Sequence, residues 1–261
     1  ADLRRAVALP AAAGGGLPEP IFVGVWGPGC SGKTLAAATV VRSPAVRRAF
    51  CGGLVWLDVE ALSRIGPADD AALVCRMLAE KVGRLPGCSP PWPPLHIAGN
   101  PSAGAEELRA WVAVRIANLP GPVLLVLDSV SSSSQVAGLS ALGGSLLIIS
   151  ASRAHLDNLR SPRPGPEFVR PRTAEPLVVS CRKIHMGPLS EQEATVVLIV
   201  GSGCKLEGRT RDAAARVVAA SGRLPKELAL LAAIARMRAA SRGLPCRDSD
   251  LEGVAGQLER E

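Results

Sequence analysis

The stretch IFVGVWGPGCSGKTLAAATV, residues 21 to 40, decides how the rest of the chain is read. It opens on an apolar run of strand length and closes on a run of helical composition. Between them GPGCSGKT, Gly27 to Thr34, matches the pattern GxxxxGK[ST]. In such a loop the glycines let successive backbone amides curl around a phosphate at the N-terminus of the following helix. The lysine adds a point charge toward the β- and γ-phosphates, and the adjoining hydroxyl ligates Mg²⁺. The expected nucleotide-binding set is Gly27, Gly29, Cys30, Ser31, Gly32, Lys33, Thr34 and Leu35, with Thr34 also a metal ligand. Cys30 lies inside the loop at a helix N-terminus, which opens a redox reading; its plainer role is to present a backbone amide.

Further apolar runs alternate with helical patterns, the signature of a parallel sheet with helices around it. Strands are expected at 21–26, 54–59, 123–128, 145–150 and 176–180, and helices at 34–50, 71–82 (capped by Asp69 and Asp70) and 105–118. VLLVLDS, residues 123 to 129, ends its apolar run in Asp128. A carboxylate at the C-terminal end of a buried parallel strand sits on the phosphate-binding edge, where it holds Mg²⁺, usually through water. GSLLIISASR, residues 144 to 153, carries Arg153 just beyond a strand. If that strand lies between the other two, Arg153 points into the γ-phosphate site; otherwise it is a solvated arginine.

From Pro188 the pattern is helical. Ser190-Glu191-Gln192-Glu193 has capping-box spacing and starts a helix to about residue 200. A second is expected at 210–220, ending at Gly222, a third from Pro225 to about 240, and a fourth after Asp248 or Asp250. The expected organisation is a linker over 1–20, a phosphate-loop domain over 21–186 and a small helical subdomain over 187–261. The fold class is α/β, a three-layer α/β/α sandwich with a five-stranded parallel sheet followed by helices.

Composition narrows the function. At 261 residues and 48% hydrophobic the chain can bury a sizeable core. No stretch approaches the roughly 18 consecutive apolar residues of a membrane span. Seven cysteines without a CxxC pair argue against a disulfide framework and structural zinc, and point to a reducing, cytoplasmic setting. His96, His155 and His185 have no ligand spacing. The net charge of +7 invites a nucleic-acid reading, but residues 153–183 hold seven basic against three acidic groups. That Pro/Arg-rich segment has only Phe168 as an aromatic, so it lacks a stacking platform and reads as a surface loop.

Taken in order, these pieces resemble the NB-ARC nucleotide-binding switch domain shared by plant disease-resistance proteins and the animal apoptosome scaffold. Residues 21–40 are similar to the family's phosphate loop with its tryptophan-bearing strand, and GLVWLDV (53–59) to the strand after its first helix. VLLVLDSV (123–130) is similar to LLVLDDV, GSLLIISASR to GSxILxTTR, MGPLSEQEA (186–194) to LxPLSxxEA, and SGRLPKELAL (221–230) to GLPLAL. The resemblance covers nearly the whole chain. It implies a five-stranded core with the Arg153 strand between the phosphate-loop and Asp128 strands, ADP or ATP with Mg²⁺ as cofactors, Arg153 as γ-phosphate sensor and Pro225 packed on the adenine side. It also implies a signalling switch of the STAND class whose subdomain arrangement partner modules, or further copies of the chain, read.

Two departures bear on activity. The family's second aspartate is Ser129 here, and serine is no general base at neutral pH without a partner, so at most slow ATP hydrolysis is expected. The chain also shows neither the winged-helix subdomain with its histidine motif nor sensor repeats, and it starts at Ala1, as a fragment of a longer protein would. An active ATPase of AAA+ or loader type, a P-loop kinase, and an interaction scaffold that has abandoned nucleotide stay open as alternatives.

Overall fold

The computed structural model describes residues 20–62, 71–87, 104–157, 181–205, 209–243 and 246–258. The expected linker (but for its last residue), the Asp69/Asp70 cap, the strand at 176–180 and most of the basic segment lie outside the described residues. The described residues form two compact units. One holds those up to Gly27 and from Thr34 to His185; the other holds Pro28 to Lys33 and those from Met186 onward.

In the first unit β1 (Phe22–Trp26), β2 (Gly53–Asp58), β3 (Val123–Val130), β4 (Ser145–Ser150) and β5 (Cys181–His185) form one parallel sheet in the order β2-β3-β4-β1-β5. The Arg153 strand, β4, therefore lies between the phosphate-loop strand and the Asp128 strand, as the resemblance implies. β-Branched and leucine runs make β1, β3 and β4 apolar on both sides, which suits a sheet covered on both faces. Alternate residues Phe22, Val55, Leu57, Leu125, Leu127, Leu146 and Ile148 join α4 (Ala71–Gly83) and α5 (Ala105–Ala117) in one core. Their neighbours Val23, Val25, Leu124, Val126, Leu147 and Ile149 are equally buried on the other side, so the sheet is the middle of three layers.

The helix expected over 34–50 is two helices, α1 (Lys33–Val41) and α2 (Pro44–Ala49). The reason is local. Proline disfavours helical backbone at the preceding residue, and Ser43 takes an extended ψ of 140° and caps the new helix through its hydroxyl, which accepts from Val46 N–H. A single turn, α3 (Val59–Leu62), follows β2, and α6 (Ala154–Asp157) follows β4. Leu156 of α6 packs against Gly24 of β1, where an added Cβ would come within 2.7 Å of its methyl and force that side chain to shift.

The second unit carries α7 (Glu191–Ser202), α8 (Arg209–Ala220), α9 (Pro225–Ala240) and α10 (Asp248–Leu258). The capping box forms: Ser190 Oγ accepts from Glu193 N–H at 3.3 Å, and the Glu193 carboxylate accepts from Ser190 N–H at 2.9 Å. The Ser190 hydroxyl, which donates to the Glu193 carboxylate at 2.7 Å, and then the Ser190 N–H hold that carboxyl below its ordinary pKa. The core gathers Ala194, Leu198, Ala214, Val217, Leu228, Ala232, Ala235 and Leu251.

Candidate functional site

A parallel sheet puts all its C-terminal strand ends on one edge. Asp128 lies there, 5% exposed, and its carboxylate accepts a hydrogen bond from the Thr34 hydroxyl at 3.0 Å. Two residues nominated separately as Mg²⁺ ligands thus meet across a 94-residue separation. Directly after Asp128 the strand bulges: Ser129 has a left-handed backbone (φ 60°), and the register with β4 shifts between Leu127 and Val130. A bulge re-aims side chains where a strand meets a functional edge.

Sequence reading missed a second carboxylate on this edge. Asp58 ends β2 in direct register with Asp128, is exposed, and caps α3 by accepting from Ala61 N–H at 3.3 Å. The signal was present, because WLD at 56–58 repeats the VLD of 126–128.

In the loop, the Lys33 ammonium donates to the Pro28 carbonyl at 2.6 Å and to Ser31 Oγ at 3.4 Å, so it folds back over the turn that precedes it. Gly32 has φ 86° and Cys30 has φ 62°, both left-handed. At Gly29 an added Cβ would meet nothing within 4 Å. The chain itself makes no steric demand for glycine there. Ser31 is buried, Cys30 is exposed, and Leu35, one residue past the loop, is 71% exposed. Pro225 opens α9 at its first turn; its ring lies 3.7 Å from the position a Cβ would take on Gly32, and Lys226 N–H donates to the Cys30 carbonyl at 3.4 Å. Pro225 thus packs on the loop, a contact no local pattern announces.

Arg153 stands exposed past the end of β4, its carbonyl accepting from Leu156 N–H. Beneath it Ser150, wholly buried, donates its single hydroxyl proton to the Val130 carbonyl at 2.8 Å. Ser150 Oγ must then accept from His155 Nδ1–H at 2.8 Å, which fixes the histidine tautomer, and from Ser152 N–H at 3.2 Å. This network ties the bulge of β3 to the turn bearing Arg153. His185 instead stacks on Trp26, ring centroids 4.1 Å apart, where β5 and β1 end in register. Two of the three histidines so have structural partners.

Strand order, loop and edge carboxylate together define the α/β fold of P-loop NTPases, with a helical C-terminal region. A proline-to-glycine mutant of Thermotoga maritima RuvB superposes on 95% of this chain with a TM-score of 0.50 at 9% identity. A threonine-to-valine mutant of the same protein covers 92% with a TM-score of 0.49 at 10% identity. The chain spans 65% and 62% of those two chains. At such identity the likeness is one of fold. No protein-family profile and no curated protein sequence matches the chain. No helix among the described residues is long and apolar enough to cross a membrane.

Proposed function

We propose that this chain binds an adenine nucleotide with Mg²⁺ at residues 27–35 and acts as an NB-ARC-type switch in signalling or defence, with slow hydrolysis. The observation that carries the reading is the Thr34–Asp128 hydrogen bond, which brings two hard oxygen donors to one point on the phosphate-binding edge. The loop suits the ligand as well. Gly29 has open space where a Cβ would stand, Gly32 takes the left-handed backbone such a loop needs, and the Lys33 ammonium now on the Pro28 carbonyl is the group a phosphate would recruit. Mg²⁺ would be held by Thr34 and Asp128 and would neutralise phosphate charge.

In this reading Arg153 senses the γ-phosphate and Pro225 borders the adenine. The two domains, 21–186 and 187–261, take nucleotide-dependent arrangements that partner modules or further copies of the chain read. Mass spectrometry of the protein as purified, with equilibrium binding of ADP and ATP, tests it. Bound or bindable adenine nucleotide lost in Lys33→Ala is expected; no nucleotide binding in the wild type overturns it.

Asp58 favours a second reading, an active ATPase, because it places a carboxylate beside Asp128 where Ser129 cannot serve as base. Phosphate release that falls at least tenfold in Asp58→Asn at unchanged ATP affinity selects that reading. Turnover insensitive to Asp58→Asn but raised by Ser129→Asp selects the slow switch.

A further inference from the structure

The helical unit holds a chemically competent pair that the proposed nucleotide site does not use. α7 ends at Gly203, whose left-handed backbone (φ 75°) turns the chain so that Cys204 points into the core, 6% exposed. Cys246 lies two residues ahead of α10 and is partly exposed. Their sulfurs are 2.6 Å apart although 42 residues separate them. A disulfide bond is about 2.0 Å long, so closure by about half an ångström, within the reach of small side-chain rotations, would complete one. The groups facing Cys246 are Cys204, Asp250 of α10 and Arg242 beyond α9. Among the described residues no group of three His, Cys, Asp or Glu side chains is placed to hold a metal ion.

We propose that Cys204 and Cys246 are a disulfide modification site, oxidised by exchange with a low-molecular-weight disulfide and reversed by thiols. Cys246, the more exposed, loses its proton to solvent and attacks one sulfur of the small disulfide. A mixed disulfide forms, and one small thiolate leaves and is protonated. Cys204 then loses its proton and attacks the Cys246 sulfur, expelling the second small thiol. Two protein thiols are oxidised, and one small disulfide is reduced to two thiols. The bond ties the end of α7 to the start of α10. Burial, with contributions from Cys204 and Asp250, pushes the Cys246 thiol up to about 12, so little thiolate exists near neutrality and the exchange is slow.

The test uses the full chain incubated with oxidised glutathione under native conditions. The expected product is lighter by two hydrogens, and its peptide map links Cys204 to Cys246. Its Tm is higher by roughly 5–10 °C, and dithiothreitol reverses both changes. Cys246→Ala abolishes the link and Cys51→Ser, on the exposed surface, keeps it. A wild-type map that pairs either cysteine elsewhere, or shows no intramolecular link, overturns the proposal whatever the variants do.

Discussion

The two units solve the burial problem with different side chains. The sheet core is made of branched and long residues, Leu125, Leu127, Leu146 and Ile148 among them, all at or near zero exposure. The helical core leans on alanine: Ala194, Ala213, Ala214, Ala232, Ala235 and Ala255 are buried. A sheet about 10 Å from its covering layer needs volume to fill the gap, whereas helices crossing closely need its absence. At the α7–α9 crossing an added Cβ on Gly201 would lie 2.9 Å from Ala232 Cβ. The first unit should therefore suffer most from losing volume and the second from gaining it.

The largest expected effect is Leu125→Ala, at the centre of β3, which should destabilise by about 3–5 kcal/mol in denaturant unfolding. Ala232→Leu should cost about 1–3 kcal/mol by wedging α7 from α9. If Ala232→Leu is neutral, the contrast between the cores fails. Within the helical unit, Asp250 is a buried carboxylate held by the Arg242 guanidinium and by Arg247 N–H at 2.9 Å. Asp250→Ala leaves those donors without their acceptor and should cost about 2 kcal/mol. Ser190→Ala removes the capping box and should lower stability by about 1 kcal/mol.

A further effect is one of pH. Cys246 has its thiol raised in the folded state from 9.0 to about 12, chiefly by burial. A raised pKa stabilises the fold fully below the unfolded value, so that contribution is complete below pH 9 and is lost as pH rises toward 12. Thermal melts across that range should show a fall in Tm that Cys246→Ala flattens. The chain contains no tyrosine, so the difference in ultraviolet thiolate absorbance between wild type and Cys246→Ala follows the titration without phenolate interference.

Much of the molecule was legible because its signals are local. The span of β4, the capping box at Ser190 and the start of α9 at Pro225 each follow from a few neighbouring residues, and the structure has them at those positions. The helix over 34–50 was misread for the opposite reason. Its apolar pattern runs on past Ser43-Pro44, but backbone sterics at one residue outweigh periodicity. The fifth strand, described at Cys181–His185, lies beyond the apolar run at 176–180. It is an edge strand with exposed Arg182 and Lys183, and half-solvated strands lack the continuous apolar signature of central ones.

Sequence was enough to determine the strand–loop–helix pattern around Gly27–Thr34, the α/β-then-helical order and the capping box, because covalent neighbours and short periods specify these. Only tertiary structure decided which distant groups meet: Thr34 with Asp128, Asp58 in register beside it, Ser150 with His155, and Cys204 with Cys246. Strand register and helix crossing set those encounters. Both depend on how whole faces pack, and no window of neighbouring residues contains that information.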